Sequence, residues 1–253
     1  MTIVERHRYI LEQLQKNGFV RVADLSRALN VSAVTIRKDL KLLEDRNLLY
    51  RSHGSASPRE LYVNDRPVNE KETLYAAEKL RIAQAAADMI QPRDTLIIGS
   101  GTSVVALARL LGNTGPLTVL TNALNVSLGL LPYEQVEVIQ LGGSLRHSSN
   151  SVVGPYAEEM IANFACKKLF LGVDGLTTDN GLTTSNLMEA HLNRKMMAAT
   201  QQTIVLADAS KFGRKGFGRI CALDEIDVLI TDHGLAPQHI AEIEEHGVEV
   251  KVV

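Results

Sequence analysis

Residues 99–103 form a short glycine- and hydroxyl-rich segment whose composition suits the binding of an anion. The segment consists of Gly99, Ser100, Gly101, Thr102 and Ser103. It lies between a predicted strand and a predicted helix that begins at Val104, so unpaired N–H groups at the start of that helix are available to a ligand. Glycines let the backbone close around the ligand, and the hydroxyl groups add donors. We expect a phosphate group here, and the alternative is a glycine-rich turn that serves packing alone.

This segment differs from the fingerprint of a dinucleotide-binding fold. The fingerprint needs a third glycine where this chain has Val104, and it needs an acidic residue about twenty positions further along, which this chain lacks. A nucleotide-binding protein is therefore disfavoured.

Further polar residues follow the other predicted strands. Because ligands bind beyond the carboxyl ends of the strands in a parallel sheet, these residues are expected to border the same site. Asparagine and aspartate can bind sugar hydroxyl groups, while arginine and lysine can neutralise a phosphate. The expected site residues are Thr121, Asn122, Gly142, Gly143, Arg146, Asp174, Gly175, Thr183 and Lys211. Each has the alternative of a plain turn residue or helix cap, which we favour for Asp208 and Ser185.

Residues 32–44 suggest a second kind of chemistry, the recognition of nucleic acid. At about 100° per residue, a helix here has one apolar face and one polar face. The apolar face holds Ala33, Ile36, Leu40 and Leu43, and the opposite face holds Val34, Thr35, Lys38 and Lys41. A turn at residues 30–32 separates this helix from a shorter apolar stripe at residues 25–29, and Ser32 is placed to cap the helix.

Two helices joined in this way form a helix-turn-helix. The candidate DNA contacts on its second helix are Ser32, Val34, Thr35, Arg37, Lys38 and Lys41. Thr35 and Lys38 are expected to enter the major groove of DNA. Ser32 and Arg37 are expected at the flanking phosphates. The alternative is an ordinary amphipathic surface helix.

A β-hairpin wing is predicted beside the helix-turn-helix. Residues 19–21 and 48–51 have the composition of short strands, and residues 53–55 have that of a tight turn. Arg51 and His53 are expected to meet backbone phosphate or the minor groove of DNA. The alternative is a solvated hairpin without a partner.

Charge is distributed unevenly along the chain. Residues 1–57 hold ten Lys and Arg against six Asp and Glu, a net charge of +4, whereas the remaining residues have a net charge of −6. The basic end is the one predicted to meet nucleic acid. Because +4 is modest, two copies are expected to bind DNA together.

Composition is typical of an ordinary soluble protein. The 253 residues are 45% hydrophobic, which is enough for one large domain and a small one. The chain has no apolar run of 18 residues and no apolar signal-peptide segment, so no membrane partner is expected and the expected location is the cytoplasm. Cys166 and Cys221 lack metal-ligand spacing, so we expect free thiols, no metal and no cofactor.

The expected domain order is a DNA-binding domain at residues 1–57, a linker at 58–73 and a larger domain at 74–253. The linker contains prolines and charges but little apolar periodicity. From about Leu74 a long helix and then alternating strands and helices are predicted, which implies an α/β domain with a mostly parallel sheet. The predicted strands are 95–98, 117–120, 136–141, 168–172, 203–207, 228–231 and 248–252.

The N-terminal residues resemble a known family of regulators. The run VSAVTIRKDLKLLE, followed by YRSHGSA, resembles the winged helix-turn-helix of the DeoR family of bacterial transcription regulators. That family usually has two adjacent glycines in the wing, where this chain has Gly54 and Ser55, which leaves the exact shape of the turn open but not the presence of the wing. Asp39 is expected to form an internal ion pair, because phosphates would repel its carboxylate.

The larger segment resembles the effector domain of the same family, which is similar in fold to ribose-5-phosphate isomerase. In that isomerase a lysine on the preceding helix and a glycine- and hydroxyl-rich loop hold the phosphate of the sugar. The resemblance implies that Lys79 and residues 101–103 bind a phosphate here. The acidic Asp-Gly-Ala-Asp-Glu pattern of the isomerase is replaced by Asp-Gly-Leu-Thr-Thr at residues 174–178. Proton transfer between carbons needs a positioned carboxylate base, so catalysis is not expected, although Glu189 lies nearby in sequence.

These features together predict a sugar-phosphate-responsive transcription regulator, a repressor of a carbohydrate-utilisation operon. Its expected partners are operator DNA, a phosphorylated sugar and further copies of the chain in a homodimer or homotetramer. The alternative is a sugar-phosphate isomerase-like enzyme with an accessory DNA-binding module. The missing acidic pair and the basic recognition helix both favour the regulator.

Overall fold

The computed structural model describes residues 2–17, 19–45, 48–52, 54–58, 65 and 67–253. The chain divides into two units. One comprises residues 1–61 with the segment 233–236, and the other comprises residues 62–232 and 237–253. Within the described part of the chain, no helix has the length and apolar composition needed to span a membrane.

The N-terminal unit combines helices with a small antiparallel sheet. Its elements are α1 (Ile3–Asn17), β1 (Val20–Arg21), α2 (Val22–Leu29), α3 (Ala33–Asp45), β2 (Leu49–Ser52) and β3 (Ser55–Pro58). The strands pair in the order β1-β3-β2. The predicted winged helix-turn-helix is therefore confirmed. Its hairpin turns at Gly54, whose φ of +76° is a conformation that glycine adopts without strain.

An apolar core joins the helices of this unit. Ile10 and Leu14 come from α1, and Ile36, Leu40 and Leu43 come from α3, each with at most 2% of its surface exposed. The spacing of these residues along α3 is the predicted helical periodicity. Burial of each such side chain contributes about 1.5–3 kcal/mol to stability.

A buried ion pair also links α1 to α3. Asp39 is 2% exposed and accepts hydrogen bonds from Nε and Nη2 of Arg6 at 2.7 and 3.0 Å. Its carboxylate also lies 3.2 Å from Nε2 of His7. The prediction that Asp39 forms an internal ion pair is confirmed, and this carboxylate is turned away from the exposed face of α3.

The larger unit alternates strands with helices. Its helices are α4 (Val68–Thr73), α5 (Ala76–Ala87), α6 (Thr102–Ala108), α7 (Leu124–Leu130), α8 (Pro155–Ile161), α9 (Leu187–Ala198) and α10 (Pro237–Glu244). The strands of its main sheet are β4 (Thr95–Ile98), β5 (Leu117–Thr121), β6 (Val136–Gln140), β9 (Cys166–Gly172), β12 (Thr200–Leu206), β14 (Val228–Thr231) and β15 (Glu249–Val252). Smaller antiparallel pairings join β7 (Ser144–Arg146) to β8 (Ser151–Val153), and β11 (Gly181–Thr184) to both β10 (Gly175–Thr177) and β13 (Gly218–Cys221).

The main sheet is parallel and has the strand order β15-β14-β12-β9-β4-β5-β6. From β4 the chain runs outward through β5 and β6, then returns to β9 on the other side of β4. The strand order therefore reverses between β4 and β9, where a crevice forms beyond the carboxyl ends of the strands. Every predicted strand is present, which confirms the α/β class.

The segment predicted to be a linker contains a short helix. Pro67 precedes α4 in an extended conformation, with ψ of 140°. Val68 is buried, and its N–H donates to the carbonyl of Ser148 at 2.6 Å. α5 begins at Ala76, slightly later than expected, and Tyr75 separates the two helices with a φ of +55°. A six-residue charged helix has too little apolar periodicity to be visible in the sequence.

Both cysteines are buried free thiols, as predicted. Burial raises the pKa of Cys166, and it raises the pKa of Cys221 to about 12. Neither thiol is therefore reactive at neutral pH.

Candidate ligand pocket and nucleic-acid interface

A polar pocket lies at the reversal of strand order between β4 and β9. It is formed by the loop after β4, the loop after β9, the start of α9 and the segment around α4. The sequence-predicted residues that line it are Ser100, Gly101, Thr102, Ser103, Asp174 and Lys211. The glycine-rich loop and these two charged residues, which are distant in sequence, are thus brought together.

Two glycines allow the loops after β4 and β9 to approach each other. Gly101 has a φ of +127°, which L side chains rarely adopt, and a Cβ there would lie 3.8 Å from the Cα of Gly172. A Cβ on Gly172 would lie only 2.8 Å from the carbonyl oxygen of Ser100. Gly99 continues the sheet, since its N–H donates to the carbonyl of Phe170 at 3.0 Å. The loop composition therefore serves both the close packing and the open pocket above it.

Glu189 anchors a network of buried polar groups at one side of the pocket. Its Oε2 lies 2.6 Å from Nη1 of Arg146 in an ion pair and accepts from Oγ1 of Thr184 at 3.0 Å. Its Oε1 accepts from Oγ of Ser151 at 3.2 Å and from Oγ of Ser100 at 3.5 Å. Glu189 is 5% exposed, so these partners offset the cost of burying its charge. The predicted residue Arg146 is thereby fixed beside the pocket.

Asp174 is held as an ionised carboxylate. It accepts from Nζ of Lys71 at 2.8 Å, from Oγ1 of Thr184 at 3.1 Å and from the N–H of Ser185 at 2.9 Å. Burial acts to raise its pKa, but the charges of Lys71 and Lys211 and these hydrogen bonds outweigh burial and hold the pKa well below its ordinary value. A carboxylate of such low pKa is a poor general base.

The two predicted lysines have different surroundings. Lys79 is 4% exposed, and its Nζ donates to the carbonyl of Lys71 at 2.5 Å. Burial lowers the pKa of Lys79 to about 8; Asp208 opposes this shift, while Lys211 and Lys71 add to it. Lys79 is not among the residues that line the pocket. Lys211 does line it, and within the described part of the chain no hydrogen bond or ion pair engages its ammonium group.

Other predicted residues shape the loops without lining the pocket. Thr121 and Asn122 are fully buried: Oγ1 of Thr121 accepts from the N–H of Ala123, and Nδ2 of Asn122 donates to the carbonyl of Val152. Oγ1 of Thr183 donates to the carbonyl of Gly175 at 3.2 Å. The remaining three are glycines: Gly142 has open space around it, Gly143 packs against Val153, and Gly175 packs against the backbone of Arg214.

Several pocket residues were not predicted. They are Asp65, Val68, Lys71, Ser148, Ser149, Gly172, Val173, Ser185, Glu189, Asn193 and Leu206, while Thr184, which follows the predicted Thr183 at the same strand end, also lines the pocket. Glu189 and Asn193 lie four residues apart on α9 and therefore on one face, which is a signal that the sequence contains. Asn193 is 4% exposed, and its Oδ1 has no hydrogen-bond partner among the described residues. Asp208 caps the 3-10 helix at residues 209–211, as predicted, by accepting from the N–H of Ser210.

In the N-terminal unit, α3 presents a basic surface. Oγ of Ser32 accepts from the N–H of Thr35 at 3.1 Å, which confirms the predicted N-cap. The side chains of Ser32 and Thr35 also share a hydrogen bond of 2.9 Å. The exposed residues that follow on this surface are Val34, Arg37, Lys38 and Lys41. A short turn joins α2 to α3, because Asn30 at the end of α2 adopts a left-handed conformation.

Arg51, the charged residue predicted on the wing, pairs with Glu44 within the N-terminal unit. Nη1 of Arg51 lies 3.6 Å from Oε2 of Glu44, and the N–H of Arg51 donates to Oε1 of Glu44 at 2.9 Å. About a third of each side chain is exposed, so the pair is weak and Arg51 remains accessible. His53, the other predicted wing contact, lies outside the described residues.

Family models match both units. The model for the DeoR C terminal sensor domain matches residues 75–233, and that for the DeoR-like helix-turn-helix domain matches residues 6–59.

Relatives match over nearly the whole chain. A protein of Escherichia coli O157:H7, provisionally assigned as the aga operon transcriptional repressor, is 37% identical over 98% of this chain and 93% of its own length. The glycerol-3-phosphate regulon repressor of Escherichia coli K12 is 32% identical over 92% of each chain. Among solved structures, ribose 5-phosphate isomerase A of Methanocaldococcus jannaschii has a TM-score of 0.41 and 16% identity over 55% of each chain, which is a low similarity.

These relatives are named as transcription regulators, and the chain is a regulator and not an enzyme. The helix-turn-helix match falls on the unit that carries α3, and the sensor match contains most of the polar pocket. The chain therefore belongs to the DeoR family of transcription regulators.

Proposed function

We propose that this regulator represses a carbohydrate-utilisation operon and that a phosphorylated sugar, bound in the pocket between β4 and β9, weakens its hold on operator DNA. The observation that carries the proposal is the pocket itself. Lys211, without an ion-pair partner within the described part of the chain, meets the hydroxyl-rich loop 100–103 there. A positively charged group beside several hydroxyl groups suits a phosphate.

The phosphate is proposed to bind at the end of the pocket formed by residues 100–103. Ser100, Thr102 and Ser103 supply hydroxyl groups, and Lys211 supplies the positive charge. Each hydrogen bond to a charged group contributes about 1.5–3 kcal/mol. Lys79 is proposed to act indirectly, because its ammonium group holds the backbone carbonyl of Lys71.

The sugar hydroxyl groups are proposed to face α9. Asn193 has a buried Oδ1 that lacks a hydrogen-bond partner in the described part of the chain, and such an atom is stabilised when a ligand hydroxyl donates to it. Arg146 and Asp174 border the same space and can distinguish ligands by their hydroxyl arrangement. The names of the relatives fit this class, since one is named for glycerol 3-phosphate.

The DNA-binding half of the proposal depends on α3. Arg37, Lys38 and Lys41 are exposed on one helix, so they are available to phosphates and base edges. Thr35 is held near the helix start by its bond to Ser32 and is proposed to contact a base edge. A unit with a net charge of only +4 contacts few phosphates, so we propose that a homodimer or homotetramer binds paired half-sites.

A screen of phosphorylated sugars by thermal shift tests this function. A ligand at a hundred times its Kd stabilises the protein by about 2.7 kcal/mol. The variant Thr102→Val should bind the best ligand about tenfold to a hundredfold more weakly, because a hydrogen bond to the phosphate is lost. Thr118→Val is the matched control, since Thr118 lies in β5 outside the pocket and its Oγ1 donates to Glu137.

The variant separates a binding loop from a packing loop. If the loop binds the ligand, Thr102→Val should have a normal melting temperature and should bind operator DNA normally without ligand. The ligand should then release this variant from operator DNA only weakly. If Thr102→Val melts normally and is released by the same ligand concentration as the parent, the phosphate site lies elsewhere.

A further inference from the structure

Asp65 places a carboxylate against donors of the pocket rim. Its Oδ2 accepts from Nη2 of Arg146 at 2.6 Å and from Oγ of Ser148 at 2.9 Å. Its Oδ1 accepts from Oγ of Ser185 at 3.1 Å. The donors come from β7, from the β7–β8 loop and from the residue after β11. Three donors from separate elements converge on this one acidic side chain.

Arg146 is held in place independently of Asp65. Arg146 also pairs with Glu189 at 2.6 Å, and these two side chains are 12% and 7% exposed. The side chain of Asp65 is 42% exposed, so it is the accessible member of the cluster. Arg146 therefore has one fixed carboxylate partner, Glu189, and one that solvent or a ligand can replace.

The segment that carries Asp65 is attached along the pocket. We define the strap as residues 65 and 67–73. The N–H of Val68 donates to the carbonyl of Ser148 at 2.6 Å, and Nζ of Lys71 donates to Asp174 at 2.8 Å. Asp65, Val68 and Lys71 all line the pocket. The strap is thus a wall of the pocket that polar contacts hold at both ends.

The charges of the pocket favour an exchange of anions. Among the described residues the charged groups are Lys71, Arg146 and Lys211 against Asp65, Asp174 and Glu189. A phosphate brings a charge of about −1.5 to −2, which would leave the pocket with excess negative charge. Departure of Asp65 removes one negative charge and frees three donors. Burial acts to raise the pKa of Asp65, but its bond to Ser148 and the charge of Arg146 lower the pKa, so the carboxylate is ionised at neutral pH.

We propose that Asp65 is an internal ligand: in the free protein its carboxylate occupies an anion subsite formed by Arg146, Ser148 and Ser185, and an anionic group of the effector takes its place. The proposal rests on the proposed function, because it assumes a phosphorylated effector in this pocket. The internal-ligand proposal adds where the effector anion competes with Asp65, and it adds how effector binding is transmitted toward the DNA-binding unit. Asp65 comes seven positions after Pro58, the last residue of β3, so displacing it moves the attachment point of the chain that leads to the DNA-binding unit.

Calorimetry with the full chain tests the competition. The probes are inorganic phosphate, glycerol 3-phosphate, ribose 5-phosphate, glucosamine 6-phosphate and galactosamine 6-phosphate. The variant Asp65→Ala should bind the best probe about tenfold more tightly than the parent, because the protein no longer has to expel its own carboxylate. Asp65→Asn should shift affinity in the same direction and serves if the alanine variant melts early.

Glu70→Ala is the matched control. Glu70 is an exposed carboxylate of the same strap, and it does not line the pocket. Its removal changes the net charge equally and should leave probe affinity unchanged. Hydrogen exchange at the N–H of Val68 supplies a second readout, since that bond to Ser148 should open more often when the probe binds and in Asp65→Ala.

The outcomes separate the two proposals. If the parent binds a probe and both Asp65 variants bind it no more tightly, Asp65 does not compete, while the proposed function stands. Weaker binding by both variants would make Asp65 a ligand contact and would also overturn the internal-ligand proposal. If none of these proteins binds any probe, the proposed function and the internal-ligand proposal both fail.

Discussion

Lys79 and Asp174 show how burial and neighbouring charges set the pKa values of individual residues in the larger, sensor unit. Lys79 is buried and the side chain of Asp174 is 12% exposed, but Asp174 has cations beside it. Its pKa falls despite burial because Lys71 and Lys211 stabilise the charged form. The ammonium group of Lys79 donates to the carbonyl of Lys71. Burial lowers the pKa of Lys79 to about 8; the charge of Asp208 opposes this shift, and the charges of Lys211 and Lys71 add to it. The charge of Lys79 therefore costs stability at neutral pH.

Replacing Lys79 should change how stability depends on pH. An unfolded lysine keeps its proton up to about pH 10.5, whereas Lys79 in the folded protein loses it near pH 8. Between these values the unfolded state binds more protons, so the free energy of unfolding rises with pH, by at most about 1.4 kcal/mol per unit. This gain is fully present above pH 10.5 and is lost as pH falls through 8.

Chemical unfolding of parent and Lys79→Met between pH 7 and 10 measures this effect. Relative to Lys79→Met, the parent should gain about 1–3 kcal/mol as pH rises across this range. Lys251→Met, which changes a more exposed lysine, should follow the parent. A difference between parent and Lys79→Met that stays constant with pH would contradict the lowered pKa of Lys79.

At the scale of elements, those with a local hydrophobic pattern were predictable. All predicted strands of the main sheet are present, and α3 buries the face that its sequence indicates. The helix α4 was missed because its position depends on Val68 and on a bond to Ser148, a residue 80 positions away. Asp65 was missed for the same reason, because its partners Arg146, Ser148 and Ser185 are distant in sequence.

The pocket was predictable only in its local part. The loop 99–103 carries its own signal, but Thr183 and Thr184 do not show which of them faces the pocket. Neighbouring strand residues point to opposite faces, so a shift of one residue exchanges the roles. Thr183 bonds to the carbonyl of Gly175, whereas Thr184 bonds to Asp174 and Glu189. Only the pairing of the strands decides between them.

The basic residues of the recognition helix α3 give a testable prediction about DNA binding. Arg37→Ala and Lys38→Ala should each weaken operator binding, and each lost phosphate contact should reduce the slope of log K against log salt by about one unit. Arg81→Ala is the control, because Arg81 is exposed on α5 in the other unit. Measurement of operator binding at several salt concentrations tests this. Unchanged affinity and slope in both variants would remove α3 from the DNA interface.

At the scale of the whole molecule, regulation is a matter of linkage between two sites. A ligand weakens DNA binding only if it binds better to the arrangement that fits DNA poorly. The strap is the proposed connection, because it lines the pocket and follows the N-terminal unit in sequence. A dimer would amplify the effect, since paired half-sites require a fixed spacing between two recognition helices.

The central claim is that one chain binds operator DNA and a phosphorylated sugar and that each weakens the other. The most direct test is a titration of labelled operator DNA, obtained by selection with the full chain, with and without the best sugar phosphate at a hundred times its Kd. Operator affinity should fall about 5- to 150-fold, and sugar-phosphate affinity should fall by the same factor when DNA is bound. Operator affinity that stays unchanged or rises, while calorimetry shows the sugar phosphate bound, would contradict the account.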